Sequence, residues 1–514
     1  MRGLVLGLTL GFLVSAGSPA RAQLLEAWRA CVGDGGVDAA QQIRGCSDII
    51  DPARDTPPHR AVALFNRGAL YQGEGALAQA MADYAAAVRL APGLPEAYAG
   101  QGSAAFANGD YAEAAADLGR ALQLRPDKAD FWAGRAAARV ALGDRAGALA
   151  DYDQAVHHAP MSGRLLTQRG QALARFGDED RALADFNRAL DLKADDAMAL
   201  ANRGALFARK GELDRALADF DEAVRLRPDL ALARSGRAWV WRARGDAARA
   251  AVEYAAAAKL APGDARAQFD HGYALSVGGD LKGAVAAYGA AIAGDPQDAG
   301  ALNNRGDALL SQGDLQAALA DFDKALGIRP GYGLALANRG RARLLSGDAA
   351  GAAVDFTQLL QREPADLAAR LSRAIAYGAE GHYTSALADA EDAVRRAPGS
   401  AEALNVRCWV RGLSGQALDL ALADCDRSLA LKPDAPEAYD SRGFVRLRRG
   451  ELEPALADYE AALRLRPQMA SARFGHGLTA LRLGQPEVGR ADMAAAQTTE
   501  PKIAANFARY GLMP

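Results

Sequence analysis

Aromatic, histidine and cysteine residues are scarce in this chain of 514 residues. Aromatic side chains make up 6% of the sequence, and there are six histidines and four cysteines. No histidine cluster accompanies a pair of cysteines, so the residues that usually hold a metal ion are not brought together by the sequence. We therefore predict neither a metal site nor a bound cofactor.

An excess of charge of one sign is also lacking, since the formal net charge is −3 and the arginines are spread along the chain. Nucleic-acid binding requires a concentrated basic patch, so the composition argues against a nucleic-acid partner. The common phosphate-binding, nucleophile-elbow and zinc-protease motifs are missing as well. We therefore predict that the protein is not an enzyme. The alternative is a catalytic site assembled from side chains of the repeats.

The sequence instead contains a repeat of thirty-four residues that occurs thirteen times, with position 1 of the first repeat at Ala61. Glycine stands at position 15 of every repeat, as at Gly75, and proline recurs at position 32, as at Pro92. On each side of Gly75, apolar and small residues follow one another at steps of three and four, which indicates two helices joined by a turn. A fixed period of this length predicts a stacked array of helical hairpins. One repeat has an extra residue near 415–420, which we interpret as a local irregularity or hinge.

Tyr71, Ala80, Tyr84, Ala87 and Pro92 stand in the register of the tetratricopeptide repeat (TPR), and the chain resembles that family over roughly residues 61–503. The resemblance implies an all-α, superhelical α-solenoid of about thirteen helix-turn-helix repeats with helical caps at both ends. We predict one elongated domain, with an N-terminal capping hairpin at 23–60, the array at 61–503 and a C-terminal capping helix at 504–514. The resemblance also implies a concave groove that binds a protein or peptide.

One position departs from the family pattern, because position 7 is usually arginine here instead of leucine. Position 23 is acidic in twelve of the thirteen repeats. Arginine suits bidentate pairing with a carboxylate, so we predict a structural ladder of ion pairs at the helix seams. The alternative is a column of arginines that binds an anionic ligand. The predicted pairs include Arg67 with Asp83, Arg203 with Asp219, Arg305 with Asp321, and Arg339 with Asp355.

The N-terminus has the parts of a secretion signal. Arg2 supplies a positive charge, residues 4–16 are apolar, and Ala20 and Ala22 form a small-residue cleavage pattern. We predict a signal peptide over 1–22, cleavage after Ala22 and export, with the bacterial periplasm as the expected compartment. The apolar stretch is short for a transmembrane helix, so an uncleaved anchor is the weaker alternative. We expect no membrane insertion of the mature chain.

Export makes disulfide bonds possible for the four cysteines. Cys31 and Cys46 lie in the N-terminal helical pair, and a cysteine pair ahead of the array resembles exported bacterial TPR proteins. We predict that they are bridged, which would contribute about 3 kcal/mol on the chain-entropy model. Cys408 and Cys425 fall at positions 8 and 24 of one repeat, where a second bridge and two buried free thiols are both reasonable interpretations.

Positions 2, 5, 9 and 12 of each repeat should line the groove that the resemblance implies. Aromatic and arginine residues are common anchors of protein interfaces, although aromatics at helical spacing are also common in cores. The candidate partner-binding residues are Trp239, Arg242, Arg266, Phe269, Tyr273, Leu371, Ile375, Trp409, Phe444 and Phe474. We predict an adaptor or assembly factor of the bacterial cell envelope. The alternatives are a scaffold that binds through its ends or convex face, and an accessory subunit of an envelope enzyme.

Overall fold

The computed structural model describes residues 19–53 and 55–513. In those residues the chain forms twenty-nine α-helices and no β-strand. Successive helices pair as antiparallel hairpins, as the thirty-four-residue period predicts. The contacts divide the chain into two compact units, Met1–Leu260 and Ala261–Pro514, which we call the N-terminal unit and the C-terminal unit.

The N-terminal unit contains an opening hairpin followed by six repeats. Its helices are α1 (Pro19–Cys31), α2 (Ala39–Ile50), α3 (Pro57–Gly73), α4 (Leu77–Leu90), α5 (Pro95–Asn108), α6 (Tyr111–Leu124), α7 (Ala129–Leu142), α8 (Arg145–His158), α9 (Gly163–Arg175), α10 (Glu179–Leu192), α11 (Ala197–Arg209), α12 (Leu213–Leu226), α13 (Ala231–Ala243) and α14 (Ala247–Leu260).

The C-terminal unit contains seven repeats followed by one short helix. Its helices are α15 (Ala265–Val277), α16 (Leu281–Gly294), α17 (Ala299–Ser311), α18 (Leu315–Ile328), α19 (Gly333–Ser346), α20 (Ala349–Arg362), α21 (Leu367–Glu380), α22 (Tyr383–Arg396), α23 (Ala401–Ser414), α24 (Leu418–Leu431), α25 (Pro436–Arg449), α26 (Leu452–Leu465), α27 (Ala470–Arg482), α28 (Pro486–Thr499) and α29 (Ile503–Arg509).

This division does not test the predicted domain organisation, which stays a prediction. In a repeat array each hairpin contacts only its neighbours, so no contact pattern has to unite distant repeats. The predicted signal peptide lies mostly outside the described residues, which begin at Pro19. None of the helices in the described part of the chain combines the length and the hydropathy that a membrane crossing requires.

The glycine at position 15 makes the turn between the two helices of each repeat. Its φ angle is positive in all thirteen repeats, from +70° to +93°, a conformation that side chains other than glycine disfavour. At Gly109, the turn is closed by hydrogen bonds from Gly109 N–H to the Phe106 carbonyl and from Asp110 N–H to the Ala105 carbonyl, at 3.1 and 2.9 Å. The repeated glycine therefore fixes where each first helix ends.

Aromatic rings at position 24 pack into space that glycines on neighbouring first helices leave open. A Cβ atom added to Gly170, at position 8 of the same repeat, would lie 2.7 Å from the ring of Phe186. A Cβ added to Gly236, at position 6 of the following repeat, would lie 2.3 Å from the ring of Phe220. Phe186 thus packs against the first helix of its own hairpin and Phe220 against the next first helix, which explains why glycine stands at these positions despite its low helix propensity.

Both cysteine pairs are disulfide-bonded. The Cys31–Cys46 bond joins α1 to α2, and the Cys408–Cys425 bond joins α23 to α24. The second bond takes the place of the glycine–aromatic contact, because its cysteines occupy positions 8 and 24.

The extra residue of the eleventh repeat is absorbed in the turn between α23 and α24. Ala417, which directly precedes α24, has φ 54° and ψ 45°. It is the one residue other than glycine with a positive φ among those described. The irregularity predicted near 415–420 is therefore a strained turn.

Candidate partner-binding surface

The arginines at position 7 are turned toward the carboxylates at position 23. Arg67 donates from Nε and Nη2 to the two carboxylate oxygens of Asp83, both at 2.8 Å. The same bidentate pairing joins Arg203 to Asp219 at 2.8 Å, Arg305 to Asp321 at 2.7 Å, and Arg339 to Asp355 at 3.0 and 2.6 Å. The aspartates of these four pairs are buried, so the arginines serve the hairpin seams.

Several of these arginines also reach the preceding repeat. Arg169 Nη1 donates to Asp153 at 2.8 Å, and Arg339 Nη1 donates to Asp323 at 2.7 Å. The ladder therefore links helices within a repeat and between neighbours. These contacts favour the structural interpretation over a column of arginines that binds an anion.

The second repeat lacks its rung, because Gln101 replaces the arginine opposite Asp117. Asp117 Oδ2 is buried and has no hydrogen-bond partner in the described structure. Burial, with a further contribution from the charge of Glu113, raises the pKa of Asp117 to about 6. A carboxylate without its arginine is thus a weak point of the array.

The predicted groove residues fall into exposed, half-buried and buried sets. Tyr273 is 37% exposed, and Arg242 and Arg266 are exposed as well. Arg266 pairs with Asp270 at 3.0 Å and lies over the ring of Phe269. Phe269 itself is half-buried, since its ring packs edge-on against Tyr288 at 5.6 Å between centroids.

Of the predicted aromatic residues, Trp239 belongs to the N-terminal unit, whereas Phe269 and Tyr273 belong to the C-terminal unit. Of the remaining predicted residues, Ile375 and Trp409 are half-buried. The ring of Trp409 packs against the first helix of the preceding repeat, where a Cβ added to Gly378 would be 2.8 Å from the ring.

Three predicted groove residues are buried, which is a correction to the sequence analysis. Leu371 is 2% exposed and packs in a core with residues of α22 and α23. Phe444 is 6% exposed and Phe474 is 1% exposed, because the C-terminal helix α29 covers both rings. These side chains hold the fold in this structure and do not face an open groove.

A hollow on the first helices lies in the N-terminal unit, among the repeats that contain α9, α11 and α13. Its volume is about 350 Å³. Ala205 and Ala208 of α11 occupy positions 9 and 12, where their small side chains leave space beside the half-buried ring of Trp239. The rings of Phe186 and Phe220 also line it.

Polar groups surround this apolar hollow. Arg175 and Arg209 line it, and both side chains are largely exposed. Arg209 also forms an ion pair with Glu179 at 3.1 Å. Asn202 donates from its amide nitrogen to the Met198 carbonyl at 2.7 Å, which fixes the orientation of the amide. Such a site can take an apolar side chain and hold a nearby carboxylate.

Trp239 is a predicted partner-binding residue, whereas Ala205 and Ala208 beside it are not among the predicted candidates. Their signal is small residues at positions 9 and 12 next to a tryptophan at position 9 of the following repeat. A smaller hollow of about 200 Å³ lies in the C-terminal unit and is lined by Asn338, Arg341 and Ser372, among others. In the described residues no group of three or more His, Cys, Asp or Glu side chains could hold a metal ion.

The sequence matches the tetratricopeptide repeat family in several places. The matched residues are 61–93, 95–128, 134–197, 201–265, 269–333 and 413–474. Together these matches cover well over half of the chain. No curated protein sequence matches it.

Solved structures of repeat proteins are similar to this chain. One is YrrB, described as a TPR protein with an unusual peptide-binding site, at 25% identity, with 36% of this chain and 95% of that chain covered and a TM-score of 0.31. A tetratricopeptide repeat protein from Parabacteroides merdae is 20% identical, with coverages of 52% and 98% and a TM-score of 0.41. The Cut9–Hcn1 assembly of the APC/C is 14% identical, with coverages of 88% and 96% and a TM-score of 0.41.

Proposed function

Because the chain belongs to the tetratricopeptide repeat proteins, we propose that it is a non-enzymatic adaptor or assembly factor that binds a segment of another protein on its first helices. Repeats of this family imply protein or peptide binding. The hollow beside Trp239 is the observation that carries the proposal. It combines an apolar cavity with cationic side chains at its edge, and such convergence is typical of binding sites.

The chemistry of the hollow suggests the segment that it would accept. An aliphatic or aromatic side chain would fill the space above Ala205 and Ala208. A carboxylate on the same segment would meet Arg175 and Arg209, whose guanidinium groups suit bidentate pairing. The proposed partner segment is therefore apolar at one residue and acidic nearby.

The proposed compartment is the bacterial cell envelope. The N-terminal sequence has a charged start, an apolar stretch and a small-residue cleavage pattern. Disulfides are typical of oxidising compartments, and the two bonded cysteine pairs support export. Processing after Ala22 can be checked by the mass of the chain recovered from an exporting host.

The binding proposal is tested by filling the hollow. Ala205→Phe would occupy the space of the partner side chain, and Trp239→Ala would remove one wall. Ala137→Phe is the matched control, because Ala137 occupies position 9 of a repeat whose residues do not line the hollow. Photocrosslinkers in α11 would capture the partner from envelope extract, and affinity would then be measured with the purified partner.

We expect Ala205→Phe to weaken binding at least tenfold and Ala137→Phe to leave it unchanged. Equal binding by both variants, each folded by circular dichroism, would refute binding in the hollow.

A scaffold that binds through the second helices is the other candidate. Val252 is 68% exposed and Val354 is 54% exposed, both at position 22 of their repeats. If the partner is lost with Val252→Lys and Val354→Lys but kept with Ala205→Phe, the scaffold interpretation replaces the first one.

A further inference from the structure

Residues that follow the last repeat cover two side chains at positions where the repeat pattern predicts a partner-binding groove. The ring of Phe507 lies 4.8 Å from that of Phe474 and 6.0 Å from that of Phe444, measured between centroids. Tyr510 adds an edge-on contact to Phe444 at 5.7 Å. Phe444 and Phe474 occupy positions 9 and 5 of their repeats, and together with Trp409 we call them the C-terminal aromatic site.

Burial follows from this contact. Ile503, Phe507 and Leu512 are all buried, in the same core as Phe444 and Phe474. Trp409 packs against that core from the preceding repeat. By contrast, Tyr273, at position 9 of another repeat in this unit, is 37% exposed. The aromatic site is closed by the chain itself.

The covering helix differs from a first helix of the array. α29 has seven residues, whereas the first helices of the repeats have at least thirteen. Its ring contacts reach α25, which belongs to the repeat before the last. It is therefore a short segment laid across two first helices.

Polar ties between this segment and the array are few. The Arg482 guanidinium donates to the Met513 carbonyl at 3.1 Å, and Asn506 donates to Glu500 at 3.3 Å. The contact otherwise depends on the three buried apolar side chains, which must offset the ordering of eleven residues. A short segment held by few polar contacts belongs to the less stable parts of a structure, so it can open without unfolding the hairpins beneath it.

We propose that residues 503–513 are a built-in ligand of the C-terminal aromatic site, and that they compete there with a partner segment of the same chemistry. That segment is a short helix with two aromatic residues three positions apart, as Phe507 and Tyr510 are, followed by a leucine-like residue. Binding of the partner requires the chain's own segment to leave. The site is separate from the hollow beside Trp239, so the two proposals stand or fall independently.

The test uses the full-length chain and a fluorescent synthetic peptide of residues 503–514. Phe507→Ala/Tyr510→Ala weakens the built-in ligand and leaves the aromatic site intact. We expect this variant to bind the peptide at least tenfold more tightly than the unchanged chain. A peptide that itself lacks both aromatic rings should not bind. The matched control is Arg509→Ala, because Arg509 is exposed and its side chain contacts Tyr510 of the same segment.

Two results would overturn the proposal. One is equal peptide affinity for the folded double variant and the unchanged chain. The other comes from hydrogen exchange of the unchanged chain and does not depend on how the variant folds. If the amides of α29 exchange only together with those of α27 and α28, the segment is a fixed part of the array. Faster, independent exchange of α29 supports a displaceable ligand.

Discussion

Gln101 is the one residue at position 7 that faces an acidic position 23 but can neither carry a charge nor form a bidentate ion pair. Replacing Gln101 by arginine should complete the ladder of ion pairs in the second repeat. In most of the other repeats, an arginine donates from Nε and Nη2 to the two carboxylate oxygens, as Arg67 does to Asp83. Asp117 has the same place in its repeat but no partner for Oδ2. We expect Gln101→Arg to stabilise the hairpin formed by α5 and α6.

The magnitude follows from the pKa of Asp117, which burial raises from 3.8 to about 6. At about 1.4 kcal/mol for each pKa unit, the charged carboxylate would cost about 3 kcal/mol without screening. Asp117 is partly exposed, and solvent screening reduces the expected gain to about 1 kcal/mol. A raised carboxyl pKa favours the folded state at low pH, so the contribution of Asp117 to stability falls as pH rises from about 4 to about 6.

The variant should reverse this dependence. With arginine at 101 the pKa of Asp117 falls, and the pair stabilises the hairpin at pH 7 and loses that effect as pH drops below the unfolded value of 3.8. Hydrogen exchange of α5 and α6 measures the local free energy of opening. In a double-mutant cycle, Asp117→Asn should abolish the gain from Gln101→Arg. An equal gain with asparagine at 117 would refute the ion-pair reasoning.

Two further predictions concern the C-terminal unit. Ala417→Gly should stabilise the turn before α24 by about 1 kcal/mol, because φ 54° is costly for alanine; Ala423→Gly, on the exposed face of α24, is the control and should destabilise by about 1 kcal/mol. The stability of the two variants is compared by chemical denaturation, with hydrogen exchange of the α24 amides as the readout. Destabilisation by both substitutions would contradict the prediction that the turn at Ala417 is strained. Asp440 has its pKa raised to about 7 by burial, with the charges of Glu437 and Glu500 adding to the effect and a hydrogen bond from Ser471 opposing it. The local stability of α25 should therefore fall as pH rises from about 4 to about 7, and Asp440→Asn should remove that fall; the same slope in the variant would assign it to another group.

The hairpins, their turns and the arginine pairs could be predicted from the sequence because each depends on residues close in the chain. Gly109 makes its turn with neighbouring residues, and Arg203 meets Asp219 within one repeat. Contacts of this kind recur with the period, so the residues that make them are found at the same positions in repeat after repeat.

The candidate sites were harder to predict because they depend on what lies over a position. Phe444 and Phe474 stand at positions that the pattern assigns to a groove, yet the non-repeating C-terminal residues cover them. The hollow beside Trp239 is defined by the small size of Ala205 and Ala208, and small residues are also what close helix packing requires. Position in the repeat therefore indicates which way a side chain points, while the burial of Phe444 and Phe474 is decided by residues outside the repeats.

The hydrogen bonds that arginines of the ladder make to the preceding repeat have a mechanical consequence. Arg169 and Arg339 each fasten their repeat to an aspartate in the one before. Arg135 and Arg305 meet Gly119 and Gly289 at the equivalent position, where glycine has no side chain to accept a hydrogen bond. In a linear array, the strength of each seam sets how far unfolding spreads. A chain pulled from its ends should part first at seams that lack this contact, such as those before Arg135 and Arg305, and so come apart in blocks of several repeats.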